Sequence, residues 1–285
     1  MQLEGPPGRC AFSVPELPEV ETIVRGLDRA IRGKQIANVQ VLRPEIVQSP
    51  GKSPFGRVVR GASVQAVTRR GKFAVIALDS GKSLVVHLRM TGRLIVQASS
   101  DEPLYPYTNV AIGFTDGSRL CFADVRRFGR MRLVGSEEPW AVEVGVEPLS
   151  GDFTAEQFFE MLRGRTTPIK VFLLDQRRIA GIGNIYACEA LWQARIHPGK
   201  PAGMVSKPAI ARLHAALQDV LQRAIDAHGS SIDDYVDAEG MKGGFQNVLA
   251  VYGRSGGECR RCGSGIIRTV IAQRGTCWCR ACQKK

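Results

Sequence analysis

Four cysteines near the end of the chain have the residue type and spacing of a metal site. Cys259-x-x-Cys262 and Cys279-x-x-Cys282 are two short pairs that sixteen residues separate. Each pair can supply two thiolates to one edge of a tetrahedron, and two such pairs complete the ligand set of a structural Zn²⁺ ion. The sequence therefore predicts one structural zinc as the cofactor, bound by Cys259, Cys262, Cys279 and Cys282.

The segment between the two cysteine pairs has the pattern of a β-hairpin. A β-prone run over 266–271 is followed by Gln273, Arg274 and Gly275, and then by residues 276–278. We expect two strands with Arg274 and Gly275 at their turn, which places an arginine at the tip of a metal-stabilised hairpin. Such a tip is suited to contact with nucleic acid phosphates.

The net charge of the 285-residue chain is +12, and the excess is concentrated at its C-terminal end. Residues 240–285 contain nine lysines or arginines and one acidic residue, Glu258. A basic segment with so little acid to balance it favours a polyanionic partner, most simply DNA or RNA. An ordinary solvated basic surface is the alternative that charge alone leaves open.

The other four cysteines, Cys10, Cys121, Cys188 and Cys277, show no pairing pattern. This favours reduced thiols in a cytosol over a secreted disulfide scaffold. No apolar run in the sequence approaches the length of a membrane span, and the N-terminus lacks the basic-then-apolar pattern of a signal peptide. We expect a soluble intracellular protein without a membrane partner.

The elements that must position these groups fall into two regions of different pattern. A first helix is predicted over 18–33, because Val20, Ile23, Leu27 and Ile31 share one of its faces. From residue 36 to about residue 134, short β-prone runs alternate with turn signals, which is typical of an all-β sandwich or barrel. The pattern then turns helical, with helices predicted over 153–163, 168–176, 184–194 and 208–228.

Several motifs, taken together, resemble one known family. The first is Pro15-Glu16-Leu17-Pro18-Glu19-Val20-Glu21-Thr22. The others follow in order: RGKF at 70–73, HLRMTG at 87–92, DVRRFG at 124–129, GIGNIY at 181–186, VYGR at 251–254, and the four cysteines. From Pro15 to the C-terminus, over about 270 residues, the chain resembles the formamidopyrimidine-DNA glycosylases, the bacterial base-excision repair enzymes for oxidised purines.

The resemblance implies an α+β fold with two domains. An N-terminal helix plus β-sandwich domain would span residues 15–136, and a helical helix-two-turn-helix DNA-binding domain would span 150–250. A zinc-bound β-hairpin finger would complete the chain over 251–285. The implied partner is damaged double-stranded DNA, with the protein acting as a monomer at the nucleoid of a bacterial-type cytoplasm.

The resemblance also implies a bifunctional enzyme. Such an enzyme flips a damaged base out of the duplex, cuts its glycosidic bond and then breaks the strand by β,δ-elimination. The family nucleophile is the secondary amine of an N-terminal proline, here Pro15. An amine can form an iminium ion at C1′ of the sugar, and this electron sink makes the 2′-proton acidic enough to leave. An α-amine has a pKa of about 8, so part of it is unprotonated at neutral pH.

The position of Pro15 within the chain conflicts with this role. Fourteen residues precede it, and the nitrogen of an internal proline is an amide. Val14 occupies the position of the family's initiator methionine, and valine is what an internal GUG start codon encodes. We therefore expect translation to begin at position 14 and methionine removal to expose Pro15, so that residues 1–14 are a start-site artefact. A genuine extension on an inactive or separately processed protein is the alternative.

Three further residues near the nucleophile have implied roles. Glu16 resembles the family acid/base, which protonates the sugar ring oxygen or moves protons through the imine steps. Lys72 resembles the family's catalytic lysine, although its spacing alone fits a solvated strand end. Glu19 resembles a second family carboxylate, for which an orienting role or a helix-start role is equally plausible.

The motifs supply a base-flipping set by the same resemblance. Met90, Arg126 and Phe128 correspond to the side chains that fill the hole left by the flipped base. Arg126 would bond the orphaned cytosine while Phe128 wedges the stack. Burial of Met90 and Phe128 at strand ends is the alternative.

Phosphate contacts map to three residues of the C-terminal half. The GIGN segment frees backbone N–H groups at a helix start, to which the Asn184 amide adds a donor. Lys170 resembles another phosphate contact, with a plain helix lysine as the alternative, and Arg274 grips phosphates beside the lesion. Many relatives have histidines around residues 107–110, so that a DNA contact there falls here to Tyr107 or Asn109.

Two other functions fit part of these features. A related endonuclease VIII-type enzyme prefers oxidised pyrimidines, but it normally has glycine in place of Leu17, and Met90, Arg126 and Phe128 favour the purine enzyme. A non-catalytic paralogue that binds lesions or distorted duplex would keep the finger and the basic charge and lack the free proline.

Overall fold

The computed structural model of the chain describes residues 14–48, 55–135, 144–231 and 241–285. These residues form two domains, each around its own hydrophobic core. Of the predicted 1–14 extension, Val14 alone falls within the described residues, and Cys10 lies outside them. The predicted domain end at 136 also lies outside the described residues. No helix in the described ranges is long and apolar enough to span a membrane.

Helix α1 (Leu17–Ile31) joins the two cores. Pro18 lies in its first turn, where the missing N–H costs nothing, and Gly33, with φ of +79°, follows its end. Leu17 packs into the core of the C-terminal domain, whereas Val20 and the later apolar residues of α1 pack into the N-terminal core. The helix is therefore shared by both domains.

The N-terminal domain is a β-sandwich, which confirms the fold that the sequence predicts. One sheet is antiparallel, with strand order β1 (Ile36–Val41), β7 (Thr108–Phe114), β8 (Arg119–Asp124) and β6 (Gly92–Gln97). The second sheet has the order β2 (Val47–Gln48), β9 (Arg130–Gly135), β5 (Lys82–His87), β4 (Phe73–Leu78) and β3 (Val64–Arg70). A short helix, α2 (Phe55–Val59), precedes β3 within the region predicted to be all β.

The C-terminal domain contains the four helices that the periodicity predicts. They are α3 (Ala155–Leu162), α4 (Ile169–Leu174), α5 (Asn184–Gln193) and α6 (Lys207–Asp226). Helix α6 buries its apolar stripe against α3 and α5, so that this stripe belongs to the core.

The two strands after α6 form the expected hairpin, with its turn displaced. Strands β10 (Ile266–Ile271) and β11 (Arg274–Cys279) are antiparallel, and Ile271 is opposite Arg274. The turn residues are Ala272 and Gln273, with φ of +48° and +61°. Two successive left-handed residues are typical of a tight hairpin turn. The predicted turn at Arg274 and Gly275 is therefore wrong by two residues, and both belong to β11.

Glu147 joins the two domains through a group of partly buried hydrogen bonds. Its carboxylate accepts from the Arg69 and Arg70 guanidinium groups at 2.8 and 2.9 Å, and from the Gly71 N–H at 2.6 Å. Burial raises the pKa of Glu147, but Arg69 and these hydrogen bonds outweigh it and hold the pKa below 4.5. These hydrogen bonds from Arg69, Arg70 and Gly71 to Glu147 fix the β3–β4 turn, which carries Lys72.

Glu147→Gln is expected to lower the free energy of unfolding by about 1–3 kcal/mol at pH 7, because charge-assisted hydrogen bonds are lost. A carboxylate with a lowered folded-state pKa stabilises above its unfolded pKa, and this stability is lost as the pH falls through the folded-state pKa. The difference from wild type should therefore shrink below about pH 4.5 in denaturant unfolding curves. Glu160→Gln, in an exposed pair with Arg163, is the control. An equal loss in both variants, or a gap independent of pH, would contradict this role.

A candidate active site between the two domains

A cavity of about 570 Å³ lies where the two domains and the hairpin meet. Its walls come from the chain before α1, the β3–β4 turn, the start of α5 and the start of β11. Among the predicted site residues, the structure gathers four around this cavity: Glu16, Lys72, Asn184 and Arg274. Pro15 is buried directly before Glu16, and Val14 also lines the cavity.

Glu16 reaches from the head of α1 to the N-terminus of α5. Its carboxylate accepts hydrogen bonds from the N–H groups of Ile185 at 3.0 Å and Tyr186 at 3.4 Å. A Cβ on Gly183 would lie 2.2 Å from Glu16 Cδ, so that glycine permits this approach. Burial raises the pKa of Glu16, while Lys72 and the backbone N–H groups oppose the rise. This buried carboxyl can therefore hold a proton closer to neutral pH than an ordinary glutamate does.

Glu19 lies one helical turn further along α1 and does not line the cavity. It is 2% exposed, and its carboxylate accepts from the Glu16 N–H at 2.9 Å, the Ser230 N–H at 2.8 Å and the Tyr186 hydroxyl. Burial, followed by the nearby Glu16 carboxyl, raises its pKa to about 7. The hydrogen bond from the Glu16 N–H is a capping-box contact, so Glu19 has the helix-start role. Its contacts also fix the backbone beside Pro15 and Glu16, which fits the orienting role.

Lys72 follows Gly71, whose φ of +57° turns the chain between β3 and β4. Burial lowers the pKa of Lys72, the negative charge of Glu16 raises it, and the positive charge of Arg274 lowers it further. The lysine is thus electrostatically coupled to Glu16 and Arg274 across the cavity. A simple solvated strand end does not describe this environment.

Asn184 and Arg274 meet at the hairpin side of the cavity. The Asn184 amide nitrogen donates to the Gly275 carbonyl at 3.0 Å, so that the start of α5 is joined to β11. Arg274 is exposed at the cavity rim. An exposed guanidinium at this rim can bind an anion such as a phosphate.

Lys170 does not reach the surface, and its predicted phosphate contact is wrong. The side chain is 0% exposed, and its ammonium donates to Thr276 Oγ1 at 2.6 Å and to the Gly275 carbonyl at 3.4 Å. Because α4 turns this lysine toward β11, it supports the hairpin from inside. The alternative of a plain helix lysine is also wrong.

Tyr107 and Asn109 have opposite environments. Asn109 is 3% exposed and donates from its side-chain amide to the Asp124 carbonyl at 3.1 Å, so its predicted DNA contact is wrong. Tyr107 lies in the turn before β7, so the side-chain alternation of the strand that contains Asn109 does not extend to it, and the motif comparison could not resolve this difference. Tyr107 is 69% exposed at a φ of +61°, so its ring is available to a partner.

The three predicted base-flipping residues lie together on two neighbouring loops. The Arg126 guanidinium lies 4.8 Å from the centre of the Phe128 ring, and its Nη1 is 3.7 Å from Met90 Sδ. Phe128 is 48% exposed. The Asp124 carboxylate holds the loops in place, since it accepts from the Thr91 hydroxyl and from the N–H groups of Arg126 and Gly129. The exposure of the Phe128 side chain excludes the alternative that this residue is buried at a strand end.

Sequence reasoning did not single out His87 and Tyr252, which are among the side chains that line the cavity. Both belong to quoted motifs, which were the available signal. His87 Nδ1 accepts from the Arg89 N–H at 3.0 Å, which leaves its Nε2 as the donor. Burial, together with Arg89 and Lys72, lowers the pKa of His87 to about 3. The imidazole is therefore neutral at pH 7.

The four cysteines of the two Cys-x-x-Cys pairs converge on one point. Their sulfur atoms all lie within 4.8 Å of one another, and three pairs are separated by 4.0, 3.5 and 3.4 Å. Tetrahedral coordination with metal–sulfur distances of about 2.3 Å requires sulfur separations of about 3.8 Å. The donor set and the spacing therefore fit a tetrahedral metal ion.

Comparison with known families accounts for both domains. Residues 14–131 match the formamidopyrimidine-DNA glycosylase N-terminal domain, and residues 144–236 match the H2TH domain of the same enzymes. The chain belongs to the formamidopyrimidine-DNA glycosylase family. The expectation from its motifs is confirmed, and the chain is a DNA glycosylase that acts on damaged DNA.

The similarity to individual family members extends over nearly the whole chain. The chain is 42% identical to the formamidopyrimidine-DNA glycosylase of Enterococcus faecalis over 95% of this chain and 98% of that protein. It is 43% identical to that of Pelotomaculum thermopropionicum over 95% and 99%. A crystal structure of a Lactococcus lactis variant with Fapy-dG DNA superposes with a TM-score of 0.88 at 38% identity, over 95% of this chain and 100% of that one.

Gly183→Ala is expected to slow base excision by about 100-fold, the scale of acid–base catalysis. The new Cβ would displace the Glu16 carboxyl. We would measure single-turnover excision with protein that begins at Pro15. Gly151→Ala, whose Cβ would have no neighbour within 4 Å, is the control. Wild-type excision by a folded Gly183→Ala protein would show that the Glu16 position does not matter.

Glu19→Gln is expected to make stability less dependent on pH. A carboxyl whose folded-state pKa of about 7 exceeds its unfolded 4.5 stabilises fully below pH 4.5, and this stability is lost as the pH rises to 7. The wild-type slope from this group is at most about 1.4 kcal/mol per pH unit. Urea unfolding at several pH values would measure it, with the exposed Glu45→Gln as control. An unchanged slope would show that Glu19 ionises normally.

Proposed function

We propose that this glycosylase removes oxidised purines, namely 8-oxoguanine and formamidopyrimidines, from duplex DNA and then cleaves the strand at the abasic site. The observation that carries this proposal is the cavity at the head of α1, where Glu16 and Lys72 meet directly beside Pro15. A buried carboxyl with a raised pKa next to a potential amine nucleophile has the parts that an imine mechanism needs.

The chemistry requires Pro15 as a free secondary amine. The Pro15 nitrogen attacks C1′, and the damaged base leaves with the electron pair of the glycosidic bond and takes up a proton. The nitrogen then loses its own proton, and opening of the sugar ring leaves an iminium ion between Pro15 and C1′. Glu16 supplies a proton to the sugar ring oxygen in this step. Loss of the 2′-proton expels the 3′-phosphate, and loss of the 4′-proton expels the 5′-phosphate. Water then hydrolyses the iminium, which breaks the bond to Pro15 and releases the sugar remnant as an aldehyde.

A free Pro15 amine requires that the active protein begin at Pro15. An amide bond from Val14 would remove the nucleophile, and Val14 lines the cavity that the sugar must enter. The match to the family's N-terminal domain begins at residue 14, which supports this proposal. We therefore propose that residues 1–14 are absent from the active enzyme.

The DNA contacts follow from the exposed groups around the cavity. We assign phosphate binding to Arg274 and Asn184, and we propose that Tyr107 lies beside the DNA backbone. Met90, Arg126 and Phe128 fill the space that the flipped base vacates, and Arg126 hydrogen-bonds the opposite cytosine. We further propose that the protein acts as a monomer on the bacterial nucleoid.

The metal in this proposal is one structural Zn²⁺ held by Cys259, Cys262, Cys279 and Cys282. Four thiolates without an open position suit zinc, and a closed site stabilises a fold and does not itself react with substrate. The bound ion would hold the ends of β10 and β11 together.

Oxidised pyrimidines are a second candidate substrate class. The crystal structure of wild-type Lactococcus lactis FPG with an oxidised-pyrimidine DNA is 37% identical to this chain, with a TM-score of 0.87. This observation favours testing both classes in parallel.

Borohydride trapping tests the proposed mechanism. Protein that begins at Pro15 should form a covalent adduct with a duplex carrying 8-oxoguanine opposite cytosine, because borohydride reduces the iminium ion. The full 1–285 chain, in which Pro15 is an amide, should form none, and Pro15→Gly at the N-terminus should cleave poorly while it still binds. A duplex with an oxidised pyrimidine compares the substrate classes. A bound duplex without any adduct would reject the proline imine, and an adduct with the full chain would place the nucleophile elsewhere.

A further inference from the structure

The metal site is joined to helix α5 by a side-chain hydrogen bond. Trp192, in the last turn of α5, donates from its indole Nε1–H to Cys259 Sγ at 3.4 Å. Cys259 is 2% exposed, so water has no access to replace this donor. An indole has one N–H donor and no acceptor, and here that N–H donates to a cysteine sulfur of the metal site.

A second residue of the metal site also contacts helix α5. Arg261, between the ligands Cys259 and Cys262, places its guanidinium 4.1 Å from the centre of the Trp192 ring. It also donates to the Trp192 and Gln193 carbonyls at 3.0 and 3.3 Å, which satisfies carbonyl groups at the C-terminal end of α5. The arginine therefore fixes the indole ring from above while it caps the helix.

The other cysteine pair is anchored to the same place. Gln283 accepts from the Cys279 N–H at 2.8 Å and donates to the Ile196 carbonyl at 2.9 Å, just beyond the end of α5. Both metal-binding turns are thus attached to one helix end. The opposite end of that helix holds the Glu16 carboxylate.

We propose that Trp192 strengthens metal binding through its hydrogen bond to the metal ligand Cys259. The same hydrogen bond would couple the metal-bound site to helix α5. This inference rests on the metal assignment made above and does not depend on the glycosylase chemistry.

An N–H donor withdraws electron density from a metal-bound thiolate. The sulfur becomes less basic, so that protonation and loss of the metal become harder. Outer partners of metal ligands typically contribute 10–100-fold to metal affinity. Helix α5 has ten residues and a length of about 15 Å, which makes it a rigid connection between the metal site and the cavity.

The test replaces each of two tryptophans by phenylalanine. Trp192→Phe keeps an aromatic ring under Arg261 and removes the N–H. The matched control is Trp278→Phe, because the Trp278 indole donates to Thr269 Oγ1 at 3.2 Å within the hairpin and not to a thiolate. We would measure Zn²⁺ affinity by competition with a chromogenic chelator, and the thiolate-to-metal charge-transfer band of the Co²⁺-substituted proteins. Circular dichroism would confirm that each metal-loaded variant is folded.

Trp192→Phe is expected to weaken Zn²⁺ binding about 10–100-fold and to move the charge-transfer band to lower energy, since the thiolate becomes more electron-rich. Trp278→Phe should leave both unchanged. Equal affinities and identical spectra for wild type and Trp192→Phe would overturn the inference, and so would equal effects of the two variants. A wild-type protein without stoichiometric metal would reject the metal assignment itself, whereas a lack of glycosylase activity would affect neither measurement.

To test the coupling, amide hydrogen exchange would be followed in α5 before and after chelation of the metal. In wild type, metal removal should accelerate exchange in residues 184–193, and in Trp192→Phe this difference should shrink. Exchange in α5 that does not respond to the metal in wild type would overturn the coupling.

Discussion

The structure depends on the burial of two neighbouring carboxyl groups, Glu16 and Glu19, at the junction of the domains. Neither group could be buried without hydrogen-bond donors, and the C-terminal domain supplies them from the start of α5, from the Tyr186 hydroxyl and from the Ser230 N–H. The native environment of the first turn of α1 therefore requires the helical domain to be packed against it. The raised pKa values of both carboxyls are the electrostatic consequence of this requirement.

Helix α5 is the element through which this constraint reaches the rest of the molecule. Its N-terminus holds Glu16, and Gly183 just before it leaves the space that the carboxyl fills. In its middle, the buried Glu189 carboxylate accepts from the N–H groups of residues 250–252, which directs Tyr252 toward the cavity. A single helix thus sets the relative positions of the carboxyl, the hairpin approach and the metal site, so that small errors in its placement affect all three.

The order and type of the elements could be predicted because they follow from local periodicity, turn residues and cysteine spacing. The sandwich, the four helices and the hairpin all carry such signals. The failures have a different origin. Lys170 contacts Thr276 across 106 positions of sequence, and no local pattern shows that a helix lysine points inward to such a partner. The burial of Asn109 could not be predicted because a motif fixes the neighbourhood of a residue but not whether its side chain faces the core. The predicted hairpin turn lies two residues too far along the chain. Ala272 and Gln273 form the turn in left-handed conformations, which glycine or asparagine would normally signal.

The inward direction of Lys170 explains how a two-stranded hairpin can hold an arginine at a defined place. An isolated hairpin of this size is at best marginally stable in water. Here Gly275 presents its carbonyl to both the Asn184 amide and the Lys170 ammonium, while Ile266 and Cys277 pack into the helical core. Burial lowers the pKa of Lys170, and the Thr276 hydroxyl provides it with a strong partner. The residue directly before this fixed carbonyl is Arg274, whose backbone is therefore anchored while its side chain remains exposed at the cavity rim. The backbone position of Arg274 at the rim is thus set in part by the buried Lys170 ammonium, which does not line the cavity.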